Sequence, residues 1–397
     1  MRYGSTKMRL DDRIVALQAE MVAWRHDLHA HPETAFEERR TSDFVARTLA
    51  GFGFEVTRGI AKTGVVGTLS VGQSRRAVVL RADMDALHLT ERTTVSHKSK
   101  HDGRMHACGH DGHMAMLLGA AKVLASTRRF EGAVHVVFQP AEENEGGGRV
   151  MVEEGLFTRF PTDAVYGLHN WPSLPAGTFG VLAGPAMAAY DVFEITVRGK
   201  GSHGAMPQQG VDPIVAAAHL VTALQTVVSR NTDPLESAVL SVTEVHGGHT
   251  WNVIPEEVVL RGTTRAFRPE RQDAIEAALR RITTGVMATF GATAEVRYER
   301  RYPPTINSPQ ESDLAARAAV DVVGEGAVHR KLAPSMGAED FAFMLRERPG
   351  CYAWLGAGRD GGSALHNPEF DFNDAVLPIG ASWWVRVAER ALSDVLC

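Results

Sequence analysis

The feature that most constrains this chain is a change of rhythm partway along it. From Asp11 to Leu168, short apolar runs alternate with stretches whose apolar residues recur at helical spacing. Asp11 is placed to cap a helix carrying Ile14, Leu17, Met21 and Leu28, and a second helix over Thr41–Ala50 ends at Gly51. Strands are expected at Val65–Leu69, Ala77–Leu80, Ala133–Phe138 and Ala164–Leu168, with a helix over Gly112–Ala125. Such alternation argues for an α/β sheet with helices on both faces. The middle third then reads strand (Val192–Val197), helix (Asp212–Ser229), two strands (Val239–Val245 and Val258–Arg265), helix (Pro269–Thr289) and strand (Ala294–Tyr298). That order is ferredoxin-like, a smaller α+β unit. Ala183-Gly184-Pro185 and Tyr302-Pro303-Pro304 bracket it as hinges. From about Thr305 the pattern returns to helices and a strand at Tyr352–Leu355. The expected organisation is a discontinuous domain, 11–186 and 300–397, interrupted by an insertion, 187–299.

Composition excludes several classes. The net charge of −5 is spread along the chain, which leaves no electrostatic case for nucleic acid or an anionic membrane surface. No apolar run reaches about 18 residues, the length that spans a bilayer. Cys108, Cys351 and Cys397 are too few and too scattered for a disulfide framework, and suit a reducing compartment. Met1–Leu10 lacks the apolar core of a secretory signal, so the cytoplasm is the expected location.

The chemistry concentrates in Met105-His106-Ala107-Cys108-Gly109-His110-Asp111-Gly112-His113. A thiol and several imidazoles beside glycines that permit tight turns are poor packing material and good metal ligands. In an open α/β sheet ligands bind beyond the carboxyl ends of the strands. Asp83 and Asp85, Glu142 and Glu143, and His169 follow three such ends. An isolated Glu-Glu pair is most often a solvated acidic loop, and Glu145 adds to that reading. The buried strand before it and Gly146-Gly147-Gly148 after it favour function, one carboxylate for the metal and one free as general base. His26, His29 and His31 at a helix end read as structural or supporting groups. His97, His101, His106 and His113 read as solvated or supporting rather than as ligands. Gly199-x-Gly201-x-x-Gly204 imitates a dinucleotide fingerprint, but Pro207 and Gly210 intervene before the next helix. Ser202-His203 does not make a serine hydrolase, because neighbours on an extended segment point to opposite faces.

Taken in order, Cys108-Gly109-His110-Asp111-Gly112-His113, Gln139-Pro140-Ala141-Glu142-Glu143, Gly167-Leu168-His169-Asn170, Gly201-Ser202-His203, Asn252-Val253-Ile254-Pro255, Ala338-Glu339-Asp340-Phe341 and Leu365-His366 resemble a known family. It is that of the metal-dependent N-acyl-amino-acid amidohydrolases, which includes hippurate hydrolase and indole-3-acetyl-amino-acid hydrolases and is related to aminoacylase and glutamate carboxypeptidase. The resemblance spans nearly the whole chain.

It implies hydrolysis of N-acyl amino acids at a site for two divalent ions per subunit. Manganese or zinc is the first expectation, cobalt or nickel the alternative. The implied ligands are Cys108, His110, Glu143, His169 and His366, with Glu142 as general base. Asp83 corresponds to a superfamily ligand whose partner histidine is Arg81 here, so its implied role is to orient a ligand imidazole from behind. The insertion resembles a lid and dimerisation domain, His203 a residue reaching the partner subunit's site to stabilise the oxyanion, and Asn252 with Arg265 the pair that grips the substrate carboxylate. Arg265 has a plain competing reading as a strand-surface cation. His88 departs from the family, which often has proline there, and Thr90–Lys100 is unusually basic. A homodimer is implied, with a tetramer as the larger alternative. The rival readings are a dipeptidase or carboxypeptidase of the same superfamily, and a binding protein that kept the fold.

Overall fold

A computed structural model describes residues 8–393. Cys397 and the first seven residues of the N-terminal stretch lie outside them. The chain forms two compact units. The first takes residues 8–184, Ile306–Ala333 and 340–393; the second takes Pro185–Thr305 and Pro334–Glu339.

The first unit is built on an eight-stranded sheet in the order Glu55–Ile60, Gly64–Val71, Gly132–Gln139, Ala77–Asp83, Ala164–Pro175, Gly350–Gly358, Phe179–Gly180, Val328–His329. The four strands from Gly132–Gln139 to Gly350–Gly358 run parallel to one another, while the strands flanking them pair antiparallel. Every residue of Ala77–Asp83 is buried, as happens only where helices cover both faces of a sheet. Helix His110–Thr127 makes the crossover from Ala77–Asp83 to Gly132–Gln139 and is buried along most of its length. It packs with helix Leu377–Leu392, whose Trp383 and Trp384 are among the largest fully buried side chains. The α/β sheet expected from the sequence is therefore present.

Several elements differ in detail. The expected strand Ala164–Leu168 continues to Pro175, because Gly350–Gly358 pairs with it in register and places His169 opposite Trp354. Glu55–Ile60 was not expected as a strand: it is a largely exposed edge, paired back on Gly64–Val71. The first helix breaks at Leu17 into Asp12–Ala16 and Gln18–Ala30, with Asp11 Oδ1 accepting from Arg13 N at 3.0 Å as its cap.

The second unit is a four-stranded antiparallel sheet in the order Ala238–Gly247, Glu257–Ala266, Ala189–Arg198, Thr293–Tyr302. That is the ferredoxin-like arrangement, strands two, three, one and four. Burial alternates along Ala189–Arg198, turning Phe193, Ile195 and Val197 into one core with helices Pro213–Leu224 and Pro269–Phe290. Asp212 caps the first of these helices, accepting from Ile214 N at 2.9 Å. The single helix expected over Asp212–Ser229 ends at Leu224 and resumes as Thr226–Ser229, with Gln225 between them. No helix among the described residues is long and apolar enough to cross a membrane.

Candidate metal centre

The parallel strands of the first unit deliver their polar ends to one edge. Asp83 closes Ala77–Asp83 and Asp85 follows it; Glu142 and Glu143 sit just beyond Gly132–Gln139; His169 lies within Ala164–Pro175. Cys108 and Gly109 lead into helix His110–Thr127, whose N-terminal dipole favours a thiolate. Gly109 has φ 97°, and a Cβ there would stand 2.5 Å from Asn170 Oδ1, so only glycine lets the turn approach that strand. The loop after Gln139 turns through Ala141 (φ 56°), Asn144 (φ 71°) and Gly146 (φ 71°), a density of left-handed residues typical of functional loops. It is held from behind: Glu38 accepts from Ala141 N at 2.9 Å and from Thr63 Oγ1 at 2.6 Å. Asp85 accepts from Glu143 N at 2.9 Å.

Donor atoms of the implied ligands and Glu142 converge in three overlapping groups: Cys108, His110 and His169; Cys108, Glu143 and His366; and His110, Glu142 and Glu143, each within 4.8 Å, with Asp83, His110 and His113, and Glu142, Glu339 and Asp340, as two further groupings. Cys108 Sγ lies 3.4 Å from His169 Nε2, and His366 Nε2 lies 3.0 Å from Glu143 Oε1. His169 Nδ1 donates to the Asn170 carbonyl at 2.7 Å, which leaves Nε2 with its lone pair toward Cys108. Burial and the neighbouring His113 hold His169 well below the ordinary imidazole range, so it stays neutral. Burial, with Glu143, Glu142 and Asp83 nearby, pushes the Cys108 thiol well above its usual range. Burial opposes a charge on His110, yet Asp83, Asp85 and Glu143 together raise it to about 10.

These residues fit divalent metal ions. Both ring nitrogens of His110 and Glu143 Oε1 are buried without a hydrogen bond of good geometry. Leaving such an atom unpaired costs about 1–3 kcal/mol; here His110 Nδ1 has only an ion-pair contact with Asp85 at 3.3 Å and Glu143 Oε1 one with His366 at 3.0 Å. A cation would satisfy all three, reverse the electrostatics that keep Cys108 protonated and relieve the crowding of carboxylates. The donor set of thiolate, imidazole and carboxylate suits zinc, manganese, cobalt or nickel.

Asp83 bonds His113 rather than His110: Oδ1 is 2.6 Å from His113 Nδ1, while Oδ2 is 3.8 Å from His110 Nε2 and 2.8 Å from Arg81 Nη1. Burial alone would raise Asp83, but His110, His113 and Arg81 hold it well below the usual carboxylate range. Of the two alternatives the sequence offered for His106 and His113, solvated or supporting, burial removes the first, since each is 1% exposed. Sequence reasoning missed Glu38 and also Arg25, which is fully buried among Asp111, Asp371 and Asp374. A signal for Arg25 existed: it lies on the stripe Met21, Arg25, Leu28, where the other members are apolar.

His203, Asn252 and Arg265 lie in the second unit. His203 stands opposite Val253 in a two-stranded ribbon, and Gly204 N donates to Asn252 O at 2.7 Å, so His203 and Asn252 are brought together, both exposed. Arg265 is placed apart from them, on the sheet, its guanidinium 4.3 Å over the Tyr190 ring and bonded to Thr263 Oγ1. His203 and Asn252 share one surface depression; Arg265 lines another.

A fold and a donor set of this kind define a metal-dependent hydrolase, and comparison with known proteins agrees. Residues 79–390 match the peptidase family M20/M25/M40. The chain is 40% identical over 385 residues to hippurate hydrolase of Campylobacter jejuni, covering 97% of this chain and all of that one. It is 39% identical over 383 residues to N-acetyl-L-cysteine deacetylase of Bacillus subtilis, covering 95% and 89%. Among solved structures, the Bacillus subtilis YXEP protein, a dinuclear metal binding peptidase of the M20 family, superposes with a TM-score of 0.83 at 34% identity, covering 95% and 99%. This chain belongs to the peptidase family M20/M25/M40.

Proposed function

We propose that this protein hydrolyses the amide bond of N-acyl amino acids, releasing a carboxylic acid and a free amino acid. The observation that carries the reading is the convergence of Cys108, His110, Glu143, His169 and His366 beside Glu142, in a chain so similar to an acyl-amino-acid hydrolase over its full length. Two divalent ions held by those five residues, manganese or zinc before cobalt or nickel, supply Lewis acidity and a water of lowered pKa. Glu142, 7% exposed and next to Glu143, takes the proton as water attacks the acyl carbonyl and returns it to the departing nitrogen. His203 stabilises the developing oxyanion, and Asn252 and Arg265 hold the substrate's α-carboxylate, a role that suits an arginine fork. Because His203 is exposed on its own unit, we assign it to the partner subunit's site in a homodimer, with the second unit as lid and dimerisation domain. We assign Asp83 a supporting role through His113, which it meets at 2.6 Å, rather than directly behind a ligand imidazole. The reaction belongs in the cytoplasm, on small soluble substrates.

Amino-acid release from hippurate, N-acetylcysteine, N-acetylmethionine, indole-3-acetyl-alanine and a set of dipeptides tests this. Chelated protein is assayed with manganese or zinc restored, and with Glu142→Ala as control. Metal-dependent release from the acyl amino acids, lost in the control, is the expected result. Release from dipeptides alone would replace the proposal with a peptidase; no release from any would remove it.

A further inference from the structure

His366 is the ligand candidate least secured by regular structure. It stands in the stretch 359–373, which holds no helix or strand, at φ 62°, with its side chain 52% exposed. A non-glycine residue in that conformation persists only when its surroundings over-determine it. One tether is visible: His366 N donates to the carbonyl of Ala107, the residue before Cys108, at 2.8 Å. The other lies on the far side of the stretch. Arg25, wholly buried on helix Gln18–Ala30, reaches three carboxylates: Asp111 at 3.4 Å, Asp371 at 3.0 Å and Asp374 at 2.6 Å. Asp111 is the residue after His110, so the guanidinium joins the rigid start of the ligand-bearing helix to the loop that carries His366. His97 and His26 add contacts to Asp371 and Asp374 at 3.0 and 2.9 Å.

We infer that Arg25 is a positioning residue for the metal centre, a charge clamp that fixes His366 relative to Cys108 and His110. A buried arginine with three carboxylates is costly to assemble, and here each of the three carboxylates lies on an element that bears or adjoins a ligand candidate, while His97 Nε2, 2.9 Å from Arg25 Nη2, braces the guanidinium from a separate loop. Arg25 does not reach the donor atoms; it acts through Asp111 on one side and Asp371 and Asp374 on the other. The inference rests on His366 being a ligand.

The test is zinc binding by the metal-free, full-length protein, measured by chelator competition so that the two ions are resolved. Asp371→Asn combined with Asp374→Asn opens the clamp on its partly exposed side; Arg25→Met opens it at the centre; His366→Ala is the reference. Removing such supporting partners typically lowers metal affinity about 10–100-fold. The expected result is that the Asp371/Asp374 variant weakens one zinc ion by about tenfold or more, the same ion that His366→Ala weakens, and leaves the other unchanged. Native affinity for both ions in that variant, while His366→Ala loses one, overturns the clamp and leaves the ligand assignment standing. Equal loss of both ions with a lowered melting temperature of the metal-free protein also overturns it, as general destabilisation. If His366→Ala itself binds both ions normally, the ligand assignment falls, and the clamp with it. Should Arg25→Met fail to fold, the Asp371/Asp374 variant decides alone.

Discussion

The histidines of the two units inhabit opposite environments. His110 and His169 are 0% and 6% exposed, gathered with a thiol and carboxylates from three different segments of one unit. His203 is exposed on a two-residue strand, beside Asn252 and near Trp251, which is fully open to solvent. A buried cluster carries its own geometry, because each side chain is fixed by the packing around it. An exposed histidine has only the order that another surface brings to it. The first group should therefore behave as a property of a single chain and the second as a property of an assembly.

The largest expected effect belongs to the buried side. Stripping the metal should abolish turnover and lower the melting temperature, because a ligand that binds only the folded state stabilises it; restoring manganese or zinc should recover both. A melting temperature indifferent to chelation would break the claim that the buried donors are built around a cation. Glu142→Gln comes next, with kcat expected to fall about 10²–10⁴-fold while metal content, read by atomic absorption, stays native. His203→Ala should cost about 10²–10³-fold, and here the two regions part company: mixing it with Glu142→Gln subunits should restore part of the activity. No recovery after demonstrated subunit exchange would place His203 outside the partner's site.

The smallest effect concerns pH. Burial, reinforced by Asp85, raises the Glu38 carboxyl from 4.5 to about 7. Between those values the unfolded chain gives up its proton before the folded chain does, so this group makes stability fall as pH rises through that window. Glu38→Gln should lack that portion of the decline, seen as a smaller difference in denaturation midpoint between pH 5 and pH 7.5 than in the native protein. Equal differences in both proteins would show that Glu38 is not the group responsible.

Much of this was legible in the chain. Buried strands such as Ala133–Phe138 announce themselves as unbroken apolar runs, and the main strand–helix order of the middle third survives, with one helix split and a short ribbon added. Glu55-Val56-Thr57-Arg58-Gly59-Ile60 does not, because an edge strand needs no apolar face and its pairing comes from the strand beside it. Among the donors, Cys108, His110, Glu142, Glu143 and His169 follow strand ends or precede a helix, positions with a known bearing on ligands. His366 has no such setting, and only the likeness to a family singled it out. Arg25, Glu38 and Asp374 act through contacts tens or hundreds of residues away, which no local pattern records.

The sheet of the first unit is completed late. Strand Gly350–Gly358 lies against Ala164–Pro175, yet the whole second unit is spelled out between them. A chain emerging from the ribosome would hold Ala164–Pro175 as an open parallel edge for some ten seconds or more at ordinary rates of synthesis, while the second unit closes on contacts nearer in sequence. Contacts so distant form slowly, and unpaired edges invite intermolecular pairing. Pulsed hydrogen exchange during refolding is expected to protect Ala189–Arg198 before Gly350–Gly358; the reverse order would show that the interrupted sheet assembles without waiting. On this view the vulnerable period in the protein's life is its biogenesis, and a holdase that shields one strand edge would raise its yield without touching its stability.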